Sequence, residues 1–295
     1  MTIQIYDQEA LTLIDPNAEL VKLATGFKFT EGPVWDFQNQ QLIFSDIPAN
    51  IMYSYSEAHG VSIYRQPSHF SNGLCMDSQG RLLACEHQTR CVTRTTPSGE
   101  IEVLATHYRG KRLNSPNDVI VTRDGSVIFT DPHYGLLEGL GGPAQQEQQH
   151  RGVYRLAPGA TEPVLLIDDF EAPNGLALSP DESILYIDDT IRDHIRAFKV
   201  ADNGLLSGGE VLLKLQGETG EEGAPDGMKI TESGHVFCTG AGGIWICHPE
   251  CRVLARIMMP EVTANLRWGD ADRRTLYMTA STSIYKLRCL VSGLP

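Results

Sequence analysis

The chain is short of positive charge. Its 295 residues carry 24 Lys and Arg against 37 Asp and Glu, a formal net charge of −13. That balance argues against a nucleic-acid partner and against attraction to an anionic membrane surface. No apolar run reaches the ~18 residues of a membrane-crossing helix. The opening MTIQIYDQEALTLIDP has neither a basic stretch nor a long apolar core, so no secretory leader is expected. Seven cysteines make an odd number. Most of them (Cys75, Cys85, Cys91, Cys238, Cys247, Cys289) lie in or beside apolar segments, as small buried hydrophobes of a reducing, cytoplasmic setting would. There is no G-x-S-x-G elbow, so a serine hydrolase would lack its nucleophile. No phosphate-binding loop runs from a strand into a helix. Cys247-His248-Pro249-Glu250-Cys251 has no second pair at zinc-finger spacing and is set aside.

What is present is a repeat. Its clearest copy is PNGLALSPDESILYIDD at Pro173–Asp189: a polar residue, an apolar strand, a tight polar turn, a second apolar strand and a terminal acid. Six copies can be aligned, opening at Glu31, Asn72, Asn117, Asn174, Asp226 and Ala264, at spacings of 38 to 57 residues. Strand–turn–strand units at such periods are propeller blades rather than helical solenoids. The turns Gln79-Gly80, Asp124-Gly125, Ser233-Gly234 and Pro180-Asp181-Glu182 are hairpin chemistry. The rest of each period leaves room for two more strands, the third expected near Ile51–Tyr55, Cys91–Thr95, Gly152–Leu156, Ile195–Val200, Gly243–Cys247 and Ser283–Leu287. The expected fold is therefore all-β: one domain, 1–295, a six-bladed β-propeller of four-stranded blades around a central channel. Closure would come from an N-terminal strand near Leu20–Ala24 completing the last blade, which removes exposed sheet edges.

In a propeller the first strand of every blade lines the axis, so equivalent positions converge. Five of the six opening residues bear side-chain oxygen, and four second strands end on acid (Asp46, Glu86, Asp131, Asp188-Asp189). One mouth would thus carry a circle of oxygen donors inside a circle of carboxylates. Carboxylate plus amide oxygen suits a hard divalent cation, calcium first, with magnesium, manganese or zinc as alternatives. No His or Cys takes an opening position, which argues against a zinc-specific site. Any single Asn-Gly also suits a turn; the convergence of several favours a site. His133–Arg151, which holds the excess length of the third period, is expected as a partial lid. The basic loop His107–Ser115 offers charge for an anionic product. His87 and His133 could contact substrate or carry protons.

The motifs FTEGPVW, SPNDV, TDPHYG, APNGLALSPD, APDGM and ACEHQTR together resemble the gluconolactonase, senescence-marker-protein-30 and luciferin-regenerating-enzyme family, over nearly the whole chain and in its bacterial gluconolactonase-like branch. The resemblance implies a six-bladed propeller with a divalent metal ligated by Glu31, Asn174 and Asp226. Asp226 would also be the catalytic acid or base, and Asn117 would contact metal and substrate. Animal members carry an Arg where this chain has Ser115; Asn72, Glu86, His133 and Tyr134 are the candidate replacements for substrate contact. The implied activity is metal-dependent opening of a sugar lactone to the aldonic acid, by a monomer or dimer. The alternatives are an aryl-ester or phosphotriester hydrolase on the same fold, or a non-catalytic binding propeller.

Overall fold

A computed structural model describes residues 3–250 and 252–295. The fold is a six-bladed β-propeller. Backbone contacts divide the chain into two compact units, Glu31–Asn174, and the residues up to Thr30 together with Gly175–Pro295.

Three blades belong to the unit Glu31–Asn174, ordered first to fourth strand. Blade 1 is Thr30–Asp36, Gln41–Asp46, Ile51–Ser56 and Gly60–Arg65. Blade 2 is Ser71–Met76, Leu82–Glu86, Cys91–Thr95 and Ile101–Ala105. Blade 3 is Val119–Val121, Val127–Asp131, Gly152–Leu156 and Val164–Ile167. The second strands carry continuous apolar runs (LLAC, VIF) rather than alternating patterns, because they are covered on both faces. Leu74 and Met52 pack in one core cluster with Leu82 and Ala84. Phe129 and Tyr154 pack in another with Leu83 and Tyr108. Each such side chain, removed from water, contributes about 1.5–3 kcal/mol.

The other unit holds three more, except that Pro173 and Asn174 of blade 4 are counted with the first. Blade 4 is Pro173–Leu178, Ile184–Asp189, His194–Val200 and Leu206–Lys214. Blade 5 is Met228–Ile230, Val236–Gly240, Gly243–Cys247 and Val253–Met258. Blade 6 is Thr263–Gly269, Thr275–Ala280 and Ser283–Arg288, completed by Val21–Thr25. That last strand is the N-terminal one expected from the sequence; it runs antiparallel to the C-terminal strand with Val21 opposite Lys286 and Thr25 opposite Ser283. The lead before it adds a fifth strand, Ile3–Ile5, to blade 5 and then a 3-10 turn, Gln8–Thr12. Ile3, Leu13 and Ile14 seal a core cluster that contains Trp268 and Phe237.

The hairpin turns have the geometry their residues allow. Gly125 has φ 82°, which costs glycine nothing, and in the turns without glycine Gln40, Glu182 and Arg273 take the same left-handed region at φ 50°, 61° and 55°. All six cysteines expected as buried hydrophobes are buried free thiols; Cys251 lies outside the described residues. Among the described residues no helix is long and apolar enough to cross a membrane.

Candidate active site

The opening residues occupy one register position, at the start of the first strand in each blade. Glu31, Asn72, Asn174 and Ala264 are each the second residue of their strand, and Asn117 and Asp226 lie two residues before shorter ones. They are not turn residues. The small residue that follows is there because the neighbouring blade comes close. A Cβ on Gly32 would sit 2.0 Å from the carbonyl oxygen of Asn72, and one on Gly73 would sit 2.5 Å from that of Asn117. In the other unit, a Cβ on Gly175 would sit 2.0 Å from the carbonyl oxygen of Asp226. So the motif reads polar–glycine for two reasons at once: a functional side chain, then room for the next blade's opening residue.

Backbone bonds hold these positions. Within the unit Glu31–Asn174, Ser45 Oγ donates to the Asn72 carbonyl at 2.9 Å, Gly73 N to the Asn117 carbonyl at 2.7 Å, and Thr130 Oγ1 to the Asn174 carbonyl at 2.8 Å. Asn117 N in turn donates to the Thr130 carbonyl at 2.8 Å. In the other unit, Asp226 N donates to Thr239 Oγ1 at 2.8 Å, and Gly227 N to the Ala264 carbonyl at 2.9 Å. The side chains so placed are buried: Glu31 is 2%, Asn72 5%, Asn117 4% and Asn174 4% exposed, while Asp226 is half-buried. Glu31 Oε2 accepts from Gly32 N at 2.6 Å. Burying polar groups of this kind costs free energy unless something pairs with them.

The expected outer circle of carboxylates is different. Those side chains are buried, and Glu86, Asp131 and Asp189 hold loops. Glu86 accepts from Arg65 at 2.9 Å, Thr89 at 2.7 Å and Thr93 at 3.0 Å, and pairs with His69 Nδ1 at 3.0 Å. Its oxygens are committed there, not to a substrate. Asp131 takes both backbone N–H groups of Asn114 and Ser115, each at 2.8 Å, and so fixes the loop that delivers Asn117. Complete burial pushes the Asp131 carboxyl up to about 7, against those two amides and the Arg90 charge. Asp189 caps the Ile191 and Arg192 amides. Sequence reading missed these roles; the signal was an acid at each strand end followed by a tight turn.

The segment His133–Arg151 is pinned rather than poised to swing. Its Leu140 carbonyl accepts from His87 Nδ1 at 2.8 Å, its Glu147 meets Arg90 at 3.3 Å and the Arg112 amide at 3.0 Å, and its His150 carbonyl accepts from Asn114 at 2.9 Å. The expected lid is therefore a strap. The basic loop is used for the same purpose: it folds as a small hairpin, His107–Tyr108 against Lys111–Arg112, and Arg112 donates to the Thr89 carbonyl. Ser115 Oγ donates to the Pro132 carbonyl at 2.7 Å and accepts from Gly135 N at 3.0 Å. At the start of the strap the His133 ring stacks on Tyr134 with centroids 5.0 Å apart, and burial, then the Arg151 charge, lowers the His133 pKa.

With this geometry in hand, likeness to known proteins is decisive about kinship. The SMP-30/gluconolactonase/LRE-like region matches residues 29–282. The chain belongs to that family. The gluconolactonase of Zymomonas mobilis is 33% identical over 306 residues, covering 95% of this chain and 84% of that protein. The solved structure of a Xanthomonas campestris gluconolactonase superposes with a TM-score of 0.90 at 32% identity, over 98% of this chain and 95% of that one. A calcium-binding regucalcin from Agrobacterium tumefaciens, 18% identical with a TM-score of 0.76 over 94% of this chain and 96% of that one, shares the fold.

The motifs EGPVW with Glu31, PND with Asn117, PNGL with Asn174 and PDGM with Asp226 all lie inside the matched region. Among the described residues no three His, Cys, Asp and Glu side chains gather as a metal centre. The opening set is of another kind, two carboxylates with neutral amides, and it is all oxygen.

Proposed function

We propose that the chain is a divalent-metal-dependent lactonase that opens a sugar lactone to its aldonic acid. The observation that carries the reading is the repeated burial of oxygen-bearing side chains at one register position of successive first strands, Glu31, Asn72, Asn117 and Asn174. Kinship with gluconolactonases supports the substrate class.

The donor chemistry fits a hard cation: two carboxylates and amide oxygens, with no sulfur or imidazole. Glu31, Asn174 and Asp226 would hold the ion, with Asn117 beside it, and calcium is the first choice. When bound, it supplies Lewis acidity toward the lactone carbonyl. The chain's own residues do the rest. The Asp226 carboxylate accepts a proton from the attacking water as the water oxygen bonds to the carbonyl carbon. The bond from that carbon to the ring oxygen then breaks, and the same carboxyl returns its proton to the ring oxygen. Asn117 and Asn72 orient the substrate through their carboxamides, and the stacked His133 and Tyr134 offer a flat face to it. The product is a hydroxy acid, released as an anion.

Acid release in a pH-stat tests this on protein stripped of metal, with a panel of sugar lactones and calcium, magnesium, manganese or zinc added back. Activity that vanishes on stripping and returns with one ion is the expected result. Activity indifferent to metal would contradict the mechanism.

A further inference from the structure

One buried histidine has no part in that chemistry. His87 follows the second strand of blade 2 and is 1% exposed. Its Nδ1 lies 2.8 Å from the Leu140 carbonyl, which can only accept, so Nδ1 carries a proton. Burial holds the ring neutral, its pKa lowered to about 4 against the Leu140 bond. Nε2 is then a bare lone pair. The group facing it is Asn72 Nδ2, at 3.5 Å. The two amide ends of Asn72 are thereby distinguished: nitrogen toward the histidine, oxygen away from it. Among the described residues no donor is paired with Asn72 Oδ1. The ring cannot turn out of this arrangement, because the strap wraps it. A Cβ on Gly135 would fall 2.4 Å from His87 Cγ, and one on Gly141 2.9 Å from His87 Cβ.

We propose that His87 is a positioning residue for Asn72, turning its carboxamide so that Oδ1 accepts a hydrogen bond from a hydroxyl of the substrate. The inference rests on the lactonase reading above and deepens it: the site selects lactones that bear ring hydroxyls over unsubstituted ones. An acceptor oxygen has nothing to take from an alkyl lactone, and desolvating it without a partner costs binding. The strap between His133 and Arg151 acquires a role here, since it fixes the tautomer from which the selectivity follows.

The test is the ratio of kcat/KM for glucono-1,5-lactone to that for δ-valerolactone, which has the same ring and no hydroxyls. The ratio is independent of the fraction of folded enzyme. His87→Asn keeps an N–H for Leu140 and removes Nε2; it lowers the ratio about three- to ten-fold, as does Asn72→Ala, the worth of one neutral hydrogen bond. His87→Gln, which can place an acceptor where Nε2 stood, restores most of it. In the Asn72→Ala background His87→Asn has no further effect on the ratio, because the histidine acts only through that asparagine. Losses equal on both lactones, or losses that multiply in the double variant, would overturn the proposal. Nitrogen-15 NMR of the wild-type histidines is the second measurement. It reads a neutral ring protonated on Nδ1; an Nε2–H tautomer or an imidazolium at neutral pH would overturn the orientation. If the wild type opens no lactone at all, the lactonase reading fails, and the NMR result still decides the positioning.

Discussion

The first and fourth strands of the blades invert the usual rule. Where the first strands begin, Glu31, Asn72, Asn117 and Asn174 are polar and at most 5% exposed. Out on the fourth strands, Ile63, Val103, Val164 and Val211 are apolar and 58%, 58%, 54% and 49% exposed. The outer pattern needs only β propensity: branched side chains suit an edge strand, and exposed apolar residues are common on any protein. The inner pattern costs free energy and is repeated. Costly polar burial at equivalent positions is the mark of a site, and cheap apolar exposure along the outer strands is not.

The comparison breaks most sharply at Asp226. Asp226→Asn should lower kcat/KM by about 10²–10⁴, the range of a lost general base, while the thermal midpoint by calorimetry stays within a few degrees. Large unfolding with residual turnover would make the inner residues structural. Next comes the glycine behind the site. Gly175→Ala puts a methyl against the Asp226 carbonyl and should cost about 2–3 kcal/mol in urea unfolding, in addition to disturbing activity. A smaller effect is expected at the junction of the chain ends. Glu261 accepts from Thr282 at 2.8 Å, Lys22 at 3.1 Å and Tyr285. Partial burial raises its pKa, but these bonds and one from Ser283 outweigh it and hold the group at about 2, below the ordinary 4.5. The stabilisation is therefore complete above about pH 4.5 and lost as pH falls to about 2. Glu261→Gln should cost about 1–2 kcal/mol at pH 7, a difference that shrinks toward nothing by pH 2. The smallest change is outermost: Ile63→Thr should stay within about 0.5 kcal/mol of wild type in the same urea assay.

Much of this architecture is legible in the amino-acid sequence. The six openings and their hairpin turns specify the blades, and all six third strands fall within one residue of where the sequence puts them, with Cys91–Thr95, Gly152–Leu156 and Gly243–Cys247 matching to the residue. These runs are short, apolar and bounded by turns, so local signals suffice. The closing strand is legible too, as the apolar stretch left over ahead of the first copy. What is not legible depends on side-chain partners distant in sequence. That Glu86 is taken up by Arg65 and His69, that Asp131 caps the Asn114 and Ser115 amides, and that His87 is locked by Leu140 are facts about contacts 16 to 53 residues apart. A Gly- and Gln-rich stretch reads as a free loop; only its docked partners make it a strap.

The most direct test of the account is calorimetric titration of calcium into metal-stripped protein, wild type beside the Glu31→Gln, Asp226→Asn double variant. The account predicts a single saturable site in the wild type that is lost in a variant still folded by circular dichroism. Equal binding by both proteins, or none by the wild type with any of the four ions, would contradict it.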